Sequence, residues 1–151
     1  SNVPPFYCGS GGGAWSGAAV AGGSGGGLIY IDSTLNNLTI DGTIKADGGP
    51  AASGQCGAGS GGGVYIICQG LAGSGRIQAE GGTRAAGLTL IGGGGGGRIA
   101  IFRRPETDTF TGVGVCSVLP GYGIAFTGEV GTIYLGESML PTRQGTFFVL
   151  E

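Results

Sequence analysis

Six consecutive glycines, residues 92 to 97, run straight into the alternating apolar strand "RIAIF" at Arg98 to Phe102. Glycine loses more conformational freedom on folding than any other residue, so an ordered run of six is costly. A flexible linker avoids that cost, but a linker has no reason to end on the same pattern each time it occurs. Gly25, Gly26 and Gly27 lead into "LIYI" at Leu28 to Ile31, Gly61 to Gly63 into "VYII" at Val64 to Ile67, and Gly95 to Gly97 into "RIAI" at Arg98 to Ile101. The three triplets begin at 25, 61 and 95, steps of 36 and 34 residues, and such a fixed period marks a repeat architecture. The glycines therefore belong to the fold.

A second element follows each strand by about a dozen residues. "DGTIKADGG" (41 to 49) and "GSGRIQAEGG" (73 to 82) each read as a short strand of period two, with Ile44 and Ala46, and Ile77 and Ala79, on one side. "TGVGVCSVLPG" (111 to 121) is a degenerate third copy, and "GEVGTIYLG" (128 to 136) a worn copy of the first element. The expected fold is all-β: a short parallel β-helix, or solenoid, of about four coils forming one module over 1–151. Residues 1–27 make a partial coil, 28–60, 61–94 and 95–127 the repeats, and 128–151 a terminal coil with an apolar tail. In this reading Ile29, Ile31, Tyr65, Ile67, Ile99 and Ile101 form one candidate interior set, while the inward face of each strand stays open. The glycine runs are expected to lie beside the strands as extended, polyglycine II-like segments whose backbones bond to one another, so that Gly95→Val damages the fold.

The string "GGGGGGRIAI", with its preceding G-x-I-x-A-x-G-G, resembles the glycine-rich parallel β-helix-type repeats of large secreted and cell-surface proteins of bacteria and microbial eukaryotes. The resemblance covers roughly residues 22 to 102, and the last third of the chain departs from it. It implies surface display, adhesion or scaffolding, and it brings no catalytic residues.

Composition narrows the function classes. With 39 glycines but 40% hydrophobic residues and a net charge of −2, the 151-residue chain lacks the polar, highly charged character of disorder. Glycine does not fall at every third position, which excludes collagen. Seven scattered basic residues give no electrostatic footprint for nucleic acid, and no apolar run approaches the length of a membrane span. No secretory leader opens the chain, so any targeting segment has been removed or lies outside it. The expected location is extracellular or at the cell surface.

The four cysteines, Cys8, Cys56, Cys68 and Cys116, form no CxxC, and the absence of histidine leaves no mixed zinc site. Two disulfides are expected. Cys8 and Cys56 sit in like contexts, "CGSGGG" and "CGAGSGGG", which would leave Cys68 for Cys116, although four cysteines allow three connectivities. Asn37-Leu38-Thr39 is a glycosylation sequon.

No catalytic site, metal or cofactor is expected. Asp47 and Glu80 hold equivalent repeat positions near Lys45 and Arg76, and an acid pair or weak calcium site there is set against a solvated charged face, the preferred reading. Arg103 and Arg104 in "FRRPETD" and Trp15 in the first glycine segment are candidate ligand contacts for a glycan, again against the simpler readings of surface turn and end cap. A flat ice-binding face is disfavoured because Thr39, Thr43 and Thr89 do not recur at matching positions.

The chain closes on an apolar strand, Phe147, Phe148, Val149 and Leu150, with no place in the repeat. Open stacks expose strand edges that invite another chain. These residues are therefore the expected assembly site of a non-catalytic secreted structural module, a subunit of an extracellular filament, fibre or surface layer. Its partners are copies of itself, head to tail, or neighbouring repeats of a parent chain. The alternative is a carbohydrate-binding or adhesive module of a larger cell-surface protein, with glycans as partners.

Overall fold

The computed structural model describes residues 7–14, 21–52, 56–83, 92–123 and 126–137. Eight strands are present among them: β1 (Leu28–Ser33), β2 (Leu38–Thr39), β3 (Thr43–Lys45), β4 (Gly63–Cys68), β5 (Leu71–Ala72), β6 (Arg76–Gln78), β7 (Arg98–Arg103) and β8 (Thr132–Glu137). Every pairing is parallel. The long strands form one four-stranded sheet in the order β1-β4-β7-β8, while β2 pairs with β5 and β3 with β6 in two separate two-stranded sheets.

Parallel register carries each row of residues through the long sheet. Leu28 pairs with Gly63, Gly63 with Arg98, and Arg98 with Thr132, steps of 35, 35 and 34 residues. The spacing read from the glycine triplets is thus off by one residue between the first two repeats, because Gly63 is the first residue of β4 and not the last of its loop. A one-residue slip exchanges the two faces of a strand. Tyr65 and Ile67 therefore stand in the outer row with Tyr30, and Val64 and Ile66 join Ile99 and Ile101 in the core. Ile29, Ile31 and Ile44 pack against that core, which also takes Leu71, Ile77, Ala79, Ala46, Phe110 and Val118.

These sheets correct the expected fold. No solenoid or closed β-helix of four coils forms; the strands resolve into small separate parallel sheets. One reason lies in the third repeat. After β7, Pro105 supplies no N–H and opens a 3-10 helix, Pro105–Thr107, and a second one, Thr111–Val115, stands where the degenerate "TGVGV" copy would have continued β3 and β6 as a strand. Backbone bonds from Thr109 to Leu71 and from Thr111 to Gly73 keep this segment against the second repeat, and Phe110 fills the core. The minor sheets consequently stop at two strands. The other reason is that each repeat returns to the long sheet through glycine-rich backbone.

That backbone is the most ordered feature of the chain. Along residues 57 to 62 the N–H groups donate in rotation to three neighbours: Gly57 to Gly13, Ala58 to Gly92 and Gly59 to Gly49, then Ser60 to Ser10, Gly61 to Gly95 and Gly62 to Ala46, at 2.7 to 3.1 Å. A bond direction that repeats every three residues has the period of the polyproline II helix. The segment also accepts from Gly23 and Gly26, and from Gly82. It is thereby surrounded by five other extended segments.

Three layers result. Segments 21–27, 57–62, 92–97 and 126–131 stack in parallel as a middle layer, shown by Gly23 to Gly57, Ala58 to Gly92 and Gly93 to Phe126. Segments 46–50, 79–83 and 117–121 form a second layer antiparallel to the first, as Gly62 to Ala46 and Gly59 to Gly49 show. On the far side lies 7–14, antiparallel to 21–27 and 57–62, joined by Gly9 to Gly26, Gly12 to Gly23, Gly57 to Gly13 and Ser60 to Ser10.

Glycine is required here for space. Among the described residues only Gly73 has a positive φ, at 101°. By contrast, a Cβ at Gly94 would overlap the Gly59 carbonyl, one at Gly96 the Val118 carbonyl, and one at Gly121 the Gly82 carbonyl. Gly95, where the sequence placed the damaging substitution, faces outward, with the Glu129 carbonyl at 3.7 Å its nearest neighbour. Gly94→Ala is accordingly expected to lower unfolding free energy by about 3 kcal/mol or more through overpacking against rigid backbone. Gly95→Ala should be neutral or stabilising by about 0.4–1 kcal/mol, because it restricts the unfolded chain alone. Urea unfolding of the two variants checks the contrast, and equal loss at both positions would contradict the packing described.

Candidate functional site

The long sheet ends in two edges of matching character. At β8, Ile133 and Leu135 continue the inward column of Ile29, Val64 and Ile99, and of Ile31, Ile66 and Ile101. They are 41% and 40% exposed, whereas Ile99 and Ile101 one strand earlier are fully buried. Strand β8 pairs with β7 and with no other described strand, and β1 pairs only with β4 among the described residues. Around β8, Val115, Leu119, Tyr122, Phe126 and Val130 are also exposed, and Val115, Leu119 and Ile133 help line an open cavity of about 400 Å³.

On the outer face, the same register builds an aromatic ladder. Tyr30 and Tyr65 stack with centroids 5.3 Å apart and planes 1° apart. The next rung is Ala100, and its missing bulk is filled by Phe102, which meets Tyr65 at 5.4 Å on one side and Tyr134 at 5.4 Å on the other. Gly136 leaves room for this, since a Cβ there would press on Phe102 and Tyr134. Tyr30 is half exposed at one end and Tyr134 at the other. Burial, together with the neighbouring Tyr30 and Asp32, pushes the Tyr65 hydroxyl above its ordinary range. Because the rings face one another, the ladder offers solvent mainly edges and two terminal faces, a poor platform for a sugar ring but a good end for another aromatic.

The ladder and both edges escaped sequence reading. Their signal was present in Tyr30, Tyr65 and Tyr134, spaced at the true period of 35 and 69 residues. The one-residue slip hid it.

The residues singled out from sequence are dispersed. Trp15, Phe147, Phe148, Val149 and Leu150 lie outside the described residues. Asn37 is exposed in the turn between β1 and β2, an accessible place for its sequon. Arg103 is half-buried and donates through Nε to Asp108, so its guanidinium is occupied internally. Arg104 follows, its backbone N–H bonded to Gln69. Asp47 and Glu80 do stack, but each is tied down: Asp47 pairs with Lys45 at 3.1 Å and accepts from the Glu80 N–H at 2.7 Å. Glu80 accepts from Gln78 and Ser117 and meets Arg76 at 3.5 Å. No group of three potential metal ligands occurs among the described residues.

Neither expected disulfide is present. Cys8 is exposed, Cys56 and Cys68 are buried and Cys116 is half-buried, with no S–S bond joining any of them. For the first pair the cause is direction. Segment 7–14 runs antiparallel to 57–62, which sets Cys8 toward Gly61 and Gly62 at the end of that segment remote from Cys56. Cys68 and Cys116 pack in or against the same core. Burial raises the Cys68 thiol pKa, with Asp108 adding and Arg103 opposing, and burial likewise raises Cys116 against Arg103.

No family model matches the chain, and neither a curated protein nor a solved structure shows significant similarity to it.

The thiols give a direct check. Iodoacetamide near neutral pH should alkylate Cys8 quickly, with Cys68 and Cys116 reacting only on unfolding, as followed by mass spectrometry. Both core thiols ionise less readily folded than unfolded. As pH rises past the ordinary thiol value of 9.0, the unfolded chain sheds these protons first, so stability is full below that value and declines above it. Rapid alkylation of Cys68 in the folded chain would refute the buried placement.

Proposed function

We propose that this chain is a non-catalytic structural module that assembles head to tail into an extracellular or cell-surface filament or layer, its β8 edge receiving the β1 edge of the next copy. The observation that carries this reading is the match of the two edges. Continuing the parallel register by one more strand brings Ile133 and Leu135 of one copy against Ile29 and Ile31 of the next, and Tyr134 against Tyr30.

Each of those contacts repeats one the sheet already makes internally. The apolar columns would run on without interruption, and the aromatic ladder would gain its next rung. Because the donated and receiving surfaces differ, the contact is heterologous and does not close on itself, which generates an open fibre. Main-chain bonding along the edge supplies adhesion and the apolar row supplies register. The carboxylates of the charged face are held by neighbouring groups, which supports the non-catalytic reading. The exposed sequon at Asn37 and the resemblance of the glycine repeats support a location outside the cell.

Sedimentation and electron microscopy over a range of concentrations test the proposal. The unaltered chain should form linear assemblies whose strand spacing continues through the contacts. Ile133→Asp, which places a carboxylate in the new core, should weaken association by about 100-fold or more while circular dichroism stays unchanged. Strictly monomeric protein at high concentration, or assembly untouched by Ile133→Asp, would reject head-to-tail growth and favour the adhesive, glycan-binding alternative.

A further inference from the structure

Segment 7–14 occupies a groove between two parallel segments, 21–27 and 57–62, and four backbone groups hold it there. The N–H groups of Gly57 and Ser60 donate to Gly13 and Ser10, each at 2.9 Å, and the carbonyls of Gly23 and Gly26 accept from Gly12 and Gly9, each at 2.8 Å. The repeat builds the same groove again one step along, between 57–62 and 92–97. Adding 35 residues, the sheet register, converts Gly57 and Ser60 into Gly92 and Gly95, and Gly23 and Gly26 into Ala58 and Gly61.

Every other bond of the first groove is reproduced at that spacing. Gly23 to Gly57 and Gly26 to Ser60 become Ala58 to Gly92 and Gly61 to Gly95. The four outward groups are the exception. Among the described residues nothing accepts from the N–H of Gly92 or Gly95, and nothing donates to the carbonyl of Ala58 or Gly61. The inner side of this second groove is filled by 79–83, through Gly82 to Gly59, Gly94 to Gly82 and Gly97 to Ala79. Its outer side holds a cavity of about 320 Å³, bordered by Cys8, Ser10, Ser60, Gly61, Gly96 and Arg98. A Cβ built on Gly92 meets nothing within 4 Å, and one on Gly95 only the Glu129 carbonyl at 3.7 Å, whereas one on the equivalent Gly25 would overlap the Gly9 carbonyl of the resident segment.

We infer that this second groove is a docking lane for an extended glycine-rich segment of a partner chain, bound backbone to backbone as residues 7–14 are bound in the first. The resident segment defines what the lane accepts. A Cβ at Gly9 would overlap the Ser60 carbonyl and one at Gly12 the Gly57 carbonyl, but Gly11 and Gly13 are open. The partner therefore needs glycine at every third position, Gly-x-x-Gly, with freedom between. Ser10 and Ser60 touch through their hydroxyls in the first groove at 3.2 Å. Gly95 stands in place of Ser60, so the second lane admits a larger side chain opposite it. The two ordered walls are already in place, leaving only the incoming segment to lose conformational freedom.

The test uses the full chain and a synthetic peptide copying residues 7–14 with Cys8→Ser, followed by amide hydrogen exchange. In the isolated chain Gly57 and Ser60 should be protected while Gly92 and Gly95 exchange freely. Saturating peptide should slow Gly92 and Gly95 by at least about tenfold and leave Gly57 unchanged. A peptide with valine at the positions of Gly9 and Gly12 should have no effect. Gly95→Leu, whose side chain enters the lane without meeting backbone, should keep the Gly57 protection and abolish the peptide response. Protection of Gly92 and Gly95 in the isolated chain at low concentration, or no saturable response to millimolar peptide, would overturn the assignment.

Discussion

Direct contact between glycine backbones is the constraint on which the rest of this structure depends. Neighbouring extended segments lie so close that a β-carbon at most of the inward positions would penetrate a carbonyl across the gap. That closeness lets each segment exchange hydrogen bonds with up to five others, because its N–H groups turn through three directions in successive residues. The entropy glycine surrenders is offset by a backbone lattice that no residue with a side chain could enter. The sheets then inherit their spacing and parallel direction from segments that are already stacked.

The lattice also explains how so small a set of apolar side chains makes a core. The sheet residues Val64, Ile66, Ile99 and Ile101 need to be covered on one side only, and Leu71, Ile77, Phe110 and Val118 supply that cover. A Cβ-free layer adds ordered mass without demanding apolar area. The third repeat shows the tolerance this gives. Pro105 and the two 3-10 helices break the minor sheets, yet the backbone bonds at Thr109 and Thr111 and the burial of Phe110 keep the segment in place.

Much of this was legible in the sequence, and the failures have physical causes. The period, the strands, the pairing of "TIK" with "RIQ", and the membership of the glycines in the fold all follow from patterns that side chains write into the chain. Register failed at Gly63 because a glycine gives no sign of whether it ends a loop or begins a strand. Direction failed at residues 7–14 for a similar reason: an extended glycine segment reads alike both ways, so "CGSGGG" and "CGAGSGGG" suggested alignment where the chains run antiparallel. That misreading produced the disulfide between Cys8 and Cys56. The single closed stack failed at Pro105, whose consequence for the minor sheets depends on Phe110 finding the core.

The two unsatisfied surfaces differ in what they can specify. Along the sheet edge, side chains alternate between core and solvent, so a partner strand displaced by one residue would turn its apolar row outward, and Ile133, Leu135 and Tyr134 together admit a single register. In the glycine lane the only landmarks are N–H groups and carbonyls recurring every three residues, which accept a partner displaced by three almost as well as one in place. An edge of the first kind suits growth that must be regular. A lane of the second kind suits lateral attachment that tolerates sliding, and a repeat built from both materials carries the two types of contact at right angles on one short chain.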